Sequence, residues 1–415
     1  MRLLVITPHF APDTAPTGTI VTELVKHWCT QGHQVHVITS LPWYKNHEVE
    51  SDWKNRFIDK EIDGPMKITR VYPFPNKKSN LFIRGLGFLS FSFLTLVVSL
   101  FSKGPFDAVL SLSPPITLGP VGKFASIRHR CFFVFNVQDI FPDAAIETGM
   151  LRSKSIIRAL KKFEKVSYNS SDLLTVLSKD MEDNVNRKLS KKKKTPTTAV
   201  IPNFAYTEFF NAREGNQYRR ENNLEGKIVV MYAGNLGYSQ PLELIVDSAI
   251  AHADKKNLLY VVNGGGVKTE YIKSEAAKIT NLVFVDYQPF EYLPQVLSSA
   301  DIHLLLLKSG LGNVSVPSKI YNIFASGKPV VASVDPGTEV ERIILDAQAG
   351  FVVPPNETEA FHEAIEKLSD DPSLREKMGT SALSWANKWH SSEAVSHLYM
   401  ERINELKTNN NESLI

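Results

Sequence analysis

Short runs of β-branched and other apolar residues alternate with helical stretches along the whole chain, and the pattern begins a second time at Ile228. Alternation of this kind predicts parallel sheets joined by crossover helices. In the first half the strands are read at Leu3 to Thr7, Val35 to Thr39, Ala108 to Leu112, Phe132 to Val137 and Leu173 to Leu177, with a helix from Thr19 to Gln31 that Gly32 ends. In the second half they are read at Ile228 to Ala233, Leu258 to Val262, Leu282 to Val285, Ile302 to Leu307 and Pro329 to Ala332, with a helix over Pro241 to Ala253. The polar stretch Glu208 to Gly226 lacks apolar periodicity and reads as a hinge. The expected fold class is α/β, with two Rossmann-like, doubly wound domains facing across a cleft. Residues 1–205 form the first domain, 206–227 a linker, 228–383 the second domain, and 384–407 a C-terminal helix returning to the first. Ligands of such sheets sit beyond the carboxyl ends of the strands, so the cleft is the expected site.

A chain of 415 residues is long enough for two packed cores. Its 47 basic and 44 acidic side chains leave a formal charge of +3, which excludes a nucleic-acid-scale field and makes any basic surface local. Cys29 and Cys131 are the only cysteines and no metal-ligand spacing occurs, so neither a disulfide framework nor a structural zinc is expected, and a reducing cytosol fits. The N-terminal run MRLLVITPHF is interrupted by Pro8 and reads as a first strand rather than an export signal.

VPSKIYNIFASGKPVVAS, from Val316 to Ser333, reads as a loop, a helix and a buried strand. Pro317 suits the first helical position and Ser315 the cap. Lys319 then falls in the first turn, where a cation opposes the helix dipole unless an anion is bound, and phosphate is the expected anion. The alternative is a solvated lysine at a helix start.

Several segments together resemble family 4 glycosyltransferases, most of all the branch of colanic-acid-type fucosyltransferases and L-fucosamine transferases. They are NVQDIFPDAAIETGML (Asn136 to Leu151), IPNF (Ile201 to Phe204), AGNLGYSQPLEL (Ala233 to Leu244), PSKIYN (Pro317 to Asn322) and ASGKPVVAS (Ala325 to Ser333). The resemblance implies a GT-B fold, an acceptor-binding N-terminal domain and a nucleotide-sugar-binding C-terminal domain. It also implies transfer with retention, without a metal, using a UDP- or GDP-linked donor as substrate and no further cofactor. Two departures stand out. The glutamate pair common in the family falls on Val314 and Asn322, and its diphosphate-holding Arg and Lys fall on Asn235 and Gln240, which leaves more of the phosphate charge to Lys319.

Such a reaction builds positive charge on the departing sugar and negative charge on the diphosphate, so a cation must meet the latter. Lys319 is the candidate, assisted by backbone amides at Ser318 and Gly18. Asn322 reads either as a hydroxyl binder or as a helix-packing amide, and Glu339 resembles the acidic residue that binds a donor hydroxyl. Gly264, Gly265 and Gly266 allow close backbone approach or make an ordinary turn, and Tyr287 lies where the nucleobase is read. Asp139 is the candidate to accept the acceptor proton or to stabilise the sugar cation, with the leaving phosphate as an alternative base. Asp143 reads as a cleft-edge residue or a helix cap, and His9 as a loop histidine.

Gly85 to Ser102 carries no charge between Arg84 and Lys103. Three placements are open to it: a helix with its outer face on lipid, a core helix, or a span about 27 Å long against a hydrocarbon core of about 30 Å. Its serines and the flanking strands favour the first. Arg152, Lys154, Arg158, Lys161, Lys162, Lys165 and the loop Lys191 to Lys194 add cations suited to an anionic inner leaflet, where a lipid-linked saccharide acceptor would reside. A cytoplasmic, peripherally bound enzyme of surface-polysaccharide synthesis follows, with no nucleic-acid partner. A sugar-nucleotide epimerase and a non-catalytic nucleotide-sugar-binding subunit are the rival readings. A dehydrogenase lacks its glycine fingerprint.

Overall fold

The structure is a computed structural model that describes residues 1–44, 48–74, 81–189, 195–210 and 217–412. It divides into two compact units, one built from Met1–Ile146, Leu151–Asn203 and the C-terminal helix, the other from Glu147–Met150 and Phe204–Ser391.

The first unit holds an eight-stranded sheet of β1 (Arg2–Ile6), β2 (Gln34–Ser40), β3 (Ile58–Asp63), β4 (Met66–Val71), β5 (Ala108–Ser113), β6 (Phe132–Val137), β7 (Leu173–Val176) and β8 (Thr197–Val200), in the order β3-β4-β2-β1-β5-β6-β7-β8. All neighbours are parallel except β3 and β4. The central strands are buried on both faces, as the sealed β5 and nearly sealed β1 show. The β3–β4 hairpin and β8 are additions to the expected strands. β3 reads IDKEID, a mostly exposed edge strand whose charges guard against further pairing, so it carries no apolar run to detect.

The helices that position the features below are α1 (Pro16–Thr30), α2 (Leu81–Leu100), α3 (Leu118–His129) and α4 (Lys154–Asn169). α1 begins three residues before the expected Thr19 because Pro16 suits a first turn. The expected C-terminal helix, 384–407, is instead two helices: one runs from Pro372 to Lys388, Trp389 is extended, and a second runs from Ser392 to Glu412. The latter closes the first unit: Trp28 Nε1 donates to Ser396 O at 3.0 Å, Asn136 Nδ2 to Tyr399 Oη at 2.7 Å, and Lys407 pairs with Asp107 at 2.7 Å.

The second unit holds β9 (Ile228–Asn235), β10 (Leu258–Gly265), β11 (Leu282–Val285), β12 (Ile302–Leu306), β13 (Val330–Ser333) and β14 (Gly350–Val353), all parallel, in the order β11-β10-β9-β12-β13-β14. β14 is a further addition, a half-covered edge strand. The switch in strand order falls between β9 and β12, which pair only at Val230–Ile302 and Met231–His303, so toward its carboxyl end β9 is paired on the β10 side alone. The stretch expected as a linker is part of this unit where it is described: Tyr218 and Leu224 are buried with Val229, Met231 and Val261, and Asn263 Nδ2 donates to Tyr218 Oη at 3.1 Å. Its polarity comes from Arg219, which pairs with Asp301, and from neighbouring surface charges.

Candidate active site

At the carboxyl end of β9, backbone and glycine chemistry shape a cradle. β9 runs two and β10 three residues beyond their expected ends, in register through Gly234–Gly264 and Asn235–Gly265. A Cβ on Gly264 would lie 1.9 Å from Gly234 O, and one on Gly266 2.7 Å from both Leu236 O and Asn235 Oδ1. These positions admit no side chain, and Gly264 at φ +157° and Gly266 at +152° sit where L-residues are strained. Gly264 and Gly265 therefore belong to the strand rather than to a loop after it. Tyr287, about half exposed, lays its ring along Gly265, where a Cβ would lie 3.1 Å away.

Into this end reaches Lys319, the first residue of α5 (Lys319–Ala325). Its Nζ lies 3.8 Å from the centroid of the Tyr232 ring and 3.4 Å from Ala233 O. Among the described residues no carboxylate pairs with it, and burial alone lowers its pKa from 10.5 to about 7. An ammonium with a π-face, one carbonyl and no counter-charge is poised for an anion. The alternative of a solvated lysine does not describe this environment. The local reading of its helix needs correction: Pro317 is outside α5 and accepts from Ile320 N–H, Ser315 donates its N–H to Leu311 O rather than capping, and Ser318 occupies the N-cap without a side-chain bond.

Other candidates at this end of the sheet have defined partners. Gln240 Oε1 accepts from Gly237 N–H at 3.1 Å and so fixes the loop after β9, with the Asn235 amide against the same glycine. Asn322 Oδ1 accepts from Tyr206 N–H at 3.2 Å, a packing contact that leaves its Nδ2 for a ligand. Glu339 opens α6 (Glu339–Ala347) and is held by Arg342 at 2.8 Å, an intrahelical pair. Lys308, just past β12, escaped sequence reasoning; its N–H donates to Ser239 O at 2.8 Å, which joins the loops after β12 and β9. Tyr232 also escaped it, since an aromatic inside a buried strand gives no sign of which face it presents.

Gly18 and Asp139 lie in the first unit. Gly18 is buried within α1, and a Cβ there would lie 2.9 Å from His9 Cβ, so glycine is required by packing against the loop after β1. Asp139 is half-buried past β6 and already engaged. Its neighbour Gln138 is buried, donating to Asn136 at 2.7 Å and accepting from Asn203 at 3.1 Å. Asp143 is neither a free cleft residue nor a simple cap: Lys188 binds it at 2.6 Å and Lys161 lies 3.7 Å away.

α2 has an inverted face pattern. Ser92, Thr95 and Ser99 are buried beside Phe91, while Leu86, Leu89, Phe93, Val97 and, just past the helix, Phe101 line the outside, Phe93 at 65% and Phe101 at 83% exposure. α3, packed on α2, adds exposed Phe124 and Ile127, and α4 follows with exposed Ile156, Arg158, Lys162 and Lys165. No helix among the described residues is long and apolar enough to cross a membrane. Lys191 to Lys194 lie outside the described residues.

Two doubly wound units of this kind are those of the GT-B fold, and the family matches make the chain a glycosyltransferase. Residues 17–203 match the family described as Glycosyl transferase 4-like domain and residues 215–385 the family described as Glycosyl transferases group 1. The chain belongs to the family 4 glycosyltransferases. It is 24% identical over 354 residues to the putative colanic acid biosynthesis glycosyl transferase WcaI of Escherichia coli K12, covering 83% of this chain and 86% of the relative. It is 29% identical over 319 residues to the probable glycosyltransferase WbjE of Pseudomonas aeruginosa, covering 74% and 78%. The fold is shared with sucrose-phosphate synthase of Thermosynechococcus elongatus (TM-score 0.77, 16% identity, 99% and 100% coverage). It is also shared with Anabaena HepE in complex with UDP (TM-score 0.70, 14% identity, 98% and 100% coverage).

Proposed function

We propose that the enzyme transfers a 6-deoxy or N-acetylated hexosyl residue from a UDP- or GDP-linked donor to a polyprenyl-diphosphate-linked saccharide during synthesis of a surface polysaccharide. The observation that carries this reading is the ammonium of Lys319, held at the glycine-lined end of β9 with no carboxylate partner. A diphosphate is the group that completes it. The name of WcaI, a colanic acid glycosyl transferase, and the UDP held by HepE agree with the polysaccharide and nucleotide assignments.

In this reading the second unit takes the donor. Lys319 and the free amides at Ser318 and Lys319 meet the diphosphate, and the glycines at 264 and 265 let its phosphates lie on backbone. Tyr287 offers a face to the base, and Asn235 and Glu339 offer polar groups to the ribose or sugar. A charge contact near 4 Å at an effective dielectric of about 20 is worth about 4 kcal/mol, of which the fraction gained as the bond breaks accelerates transfer on the order of 10²-fold. No divalent ion is required, and the sugar keeps its anomeric configuration. Asp139 of the first unit stabilises the sugar cation.

The first unit takes the acceptor at a membrane. The outward apolar row of α2, flanked by the cations of α4, suits the interface of an anionic leaflet, each cation adding about 1 kcal/mol near the surface. The inward hydroxyls argue the same way, because a helix placing Ser and Thr inside and Phe outside gains little from water on that side.

The test is an assay of radiolabelled UDP- and GDP-sugars with polyprenyl-diphosphate saccharide. Labelled lipid product supports transfer, whereas an epimerised nucleotide sugar or binding without turnover refutes it.

A further inference from the structure

Lys319 projects from α5, a helix of seven residues without a side-chain N-cap, too short to keep its shape without tertiary support. That support is aromatic. Tyr321 and Phe324, three apart and both sealed, share a face of α5. The Tyr321 ring stacks on Trp389 with centroids 5.9 Å apart and planes at 12°, Trp389 stacks on Trp385 at 4.5 Å and 16°, and Trp385 meets Phe324 edge-on at 5.5 Å. The four rings join α5 to α7 (Pro372–Lys388) and to the extended residue that follows it. A second lock lies at the far end of α5: a Cβ on Gly379 of α7 would lie 2.3 Å from Gly327 O, and Gly327 takes φ +68°. Lys319 stands two residues, about 200°, around the helix from Tyr321, on the side away from the stack. Paired rings carry a preferred geometry that aliphatic packing lacks, so a turn of α5 that withdrew Lys319 from Tyr232 would also break the Tyr321–Trp389 and Phe324–Trp385 pairs.

We infer that Trp389, backed by Trp385, is a positioning residue for Lys319: it sets the rotation of α5 and with it the place of the ammonium, 3.8 Å from the Tyr232 ring centroid and 3.4 Å from Ala233 O. The use of that place in transfer rests on the glycosyl-transfer reading, whereas the place itself does not. The titratable groups around the assembly are few. His390 meets Trp389 at 5.0 Å and is held below its ordinary 6.5 by burial. Burial, then the charge of Glu339, raises the Tyr321 hydroxyl, and His303, near Lys319, is lowered by burial to about 4. None of these groups changes charge between pH 7 and 8.5 in step with Lys319.

NMR of the full chain labelled with ¹³C,¹⁵N-lysine reads Lys319 directly, its resonance identified by loss in Lys319→Met. The native chain should show one ammonium titrating near 7, and Trp389→Leu should move it above about 8, because a turned helix brings the amine to water. Donor affinity, by calorimetry with UDP-glucose and GDP-fucose, should then change about fourfold or less between pH 7 and 8.5 instead of about 15-fold. Trp389→Phe, which keeps a ring, should restore both. A tryptophan that served only the core would lower Tm and leave both readouts where they are. Trp389→Met, which fills volume without a ring face, replaces the leucine variant if that does not fold. A lysine still titrating near 7 in a folded Leu or Met variant overturns the inference. So does a native chain without such a lysine, a Trp389→Phe that restores neither readout, or failure of both the Leu and Met variants to fold. If the titration moves as expected while the native chain binds neither donor, the positioning stands and the donor reading falls.

Discussion

Donor binding should take up a proton, because Lys319 is held at about 7 by burial and a diphosphate supplies the charge that it lacks. If the complex restores the group to its ordinary 10.5, binding at pH 7 draws in about half a proton and at pH 8 about 0.9. Affinity then falls as pH rises, since the lysine must be charged at increasing expense: about 15-fold between pH 7 and 8.5, or about 1.6 kcal/mol. The range stops there to stay below the titration of the bases. Isothermal calorimetry with UDP-glucose and GDP-fucose, in two buffers of different ionisation enthalpy, reads both quantities. Lys319→Arg, charged throughout, should bind with flat pH dependence. Buffer-independent heats and constant affinity for the native chain would refute the reasoning, because they would mean that the diphosphate does not meet this ammonium.

The same lysine should weigh on stability with opposite sign. Its folded value lies below its unfolded one, so the unfolded chain binds more protons between about pH 7 and 10.5 and stability rises with pH across that window. Lys319→Met should therefore raise Tm at pH 7 while lowering transfer on the order of 10²-fold; thermal unfolding that shows a lower Tm would count against an unpaired ammonium. Gly264→Ala, which sets a Cβ against the Gly234 carbonyl, should cost about 3 kcal/mol or prevent folding, whereas Gly265→Ala meets only the exposed Tyr287 ring and should cost less than about 1.5 kcal/mol in urea denaturation. Asn322→Leu, leaving Tyr206 N–H without its acceptor, should destabilise by about 1–3 kcal/mol by the same measurement. Phe93→Asp with Phe101→Asp should abolish flotation with anionic liposomes at unchanged Tm, since both side chains already face outward.

What the sequence revealed follows from where burial is two-sided. Phe132 to Val137 and Leu282 to Val285 were legible at both ends because continuous apolar runs meet polar loops. The β3–β4 hairpin was not, since an edge strand such as IDKEID is covered on neither face and carries charges instead of a run. β9 and β10 outran their expected ends because glycines, which weaken a strand by propensity, here permit two backbones to approach. In the site, the positions of Lys319 and the glycine run were legible from a loop–helix pattern and a strand ending. The partners of Gln240, Asn322 and Glu339 were not, because each is satisfied by a backbone group or a neighbour that spacing does not reveal. The stack of Tyr321 on Trp389, far apart in the chain, gave no local signal at all.

These partners also bear on how, in the proposed reaction, one cation would serve a doubly charged leaving group. Gln240 holds the amide of Gly237, so it shapes the loop after β9 rather than opposing charge, and Asn235 is neutral. The compensating positive potential must come from backbone dipoles and from the environment of Lys319 itself. Burial accomplishes this: the contact that would be weak at the surface is strengthened where dielectric is low. The low pKa of Lys319 is then the counterpart of a strong contact with the proposed diphosphate. An enzyme with a second, exposed cation would lack this coupling, and adding one by Gln240→Arg should flatten the pH dependence of donor affinity without moving the titration of Lys319 in the free protein by as much as the diphosphate does.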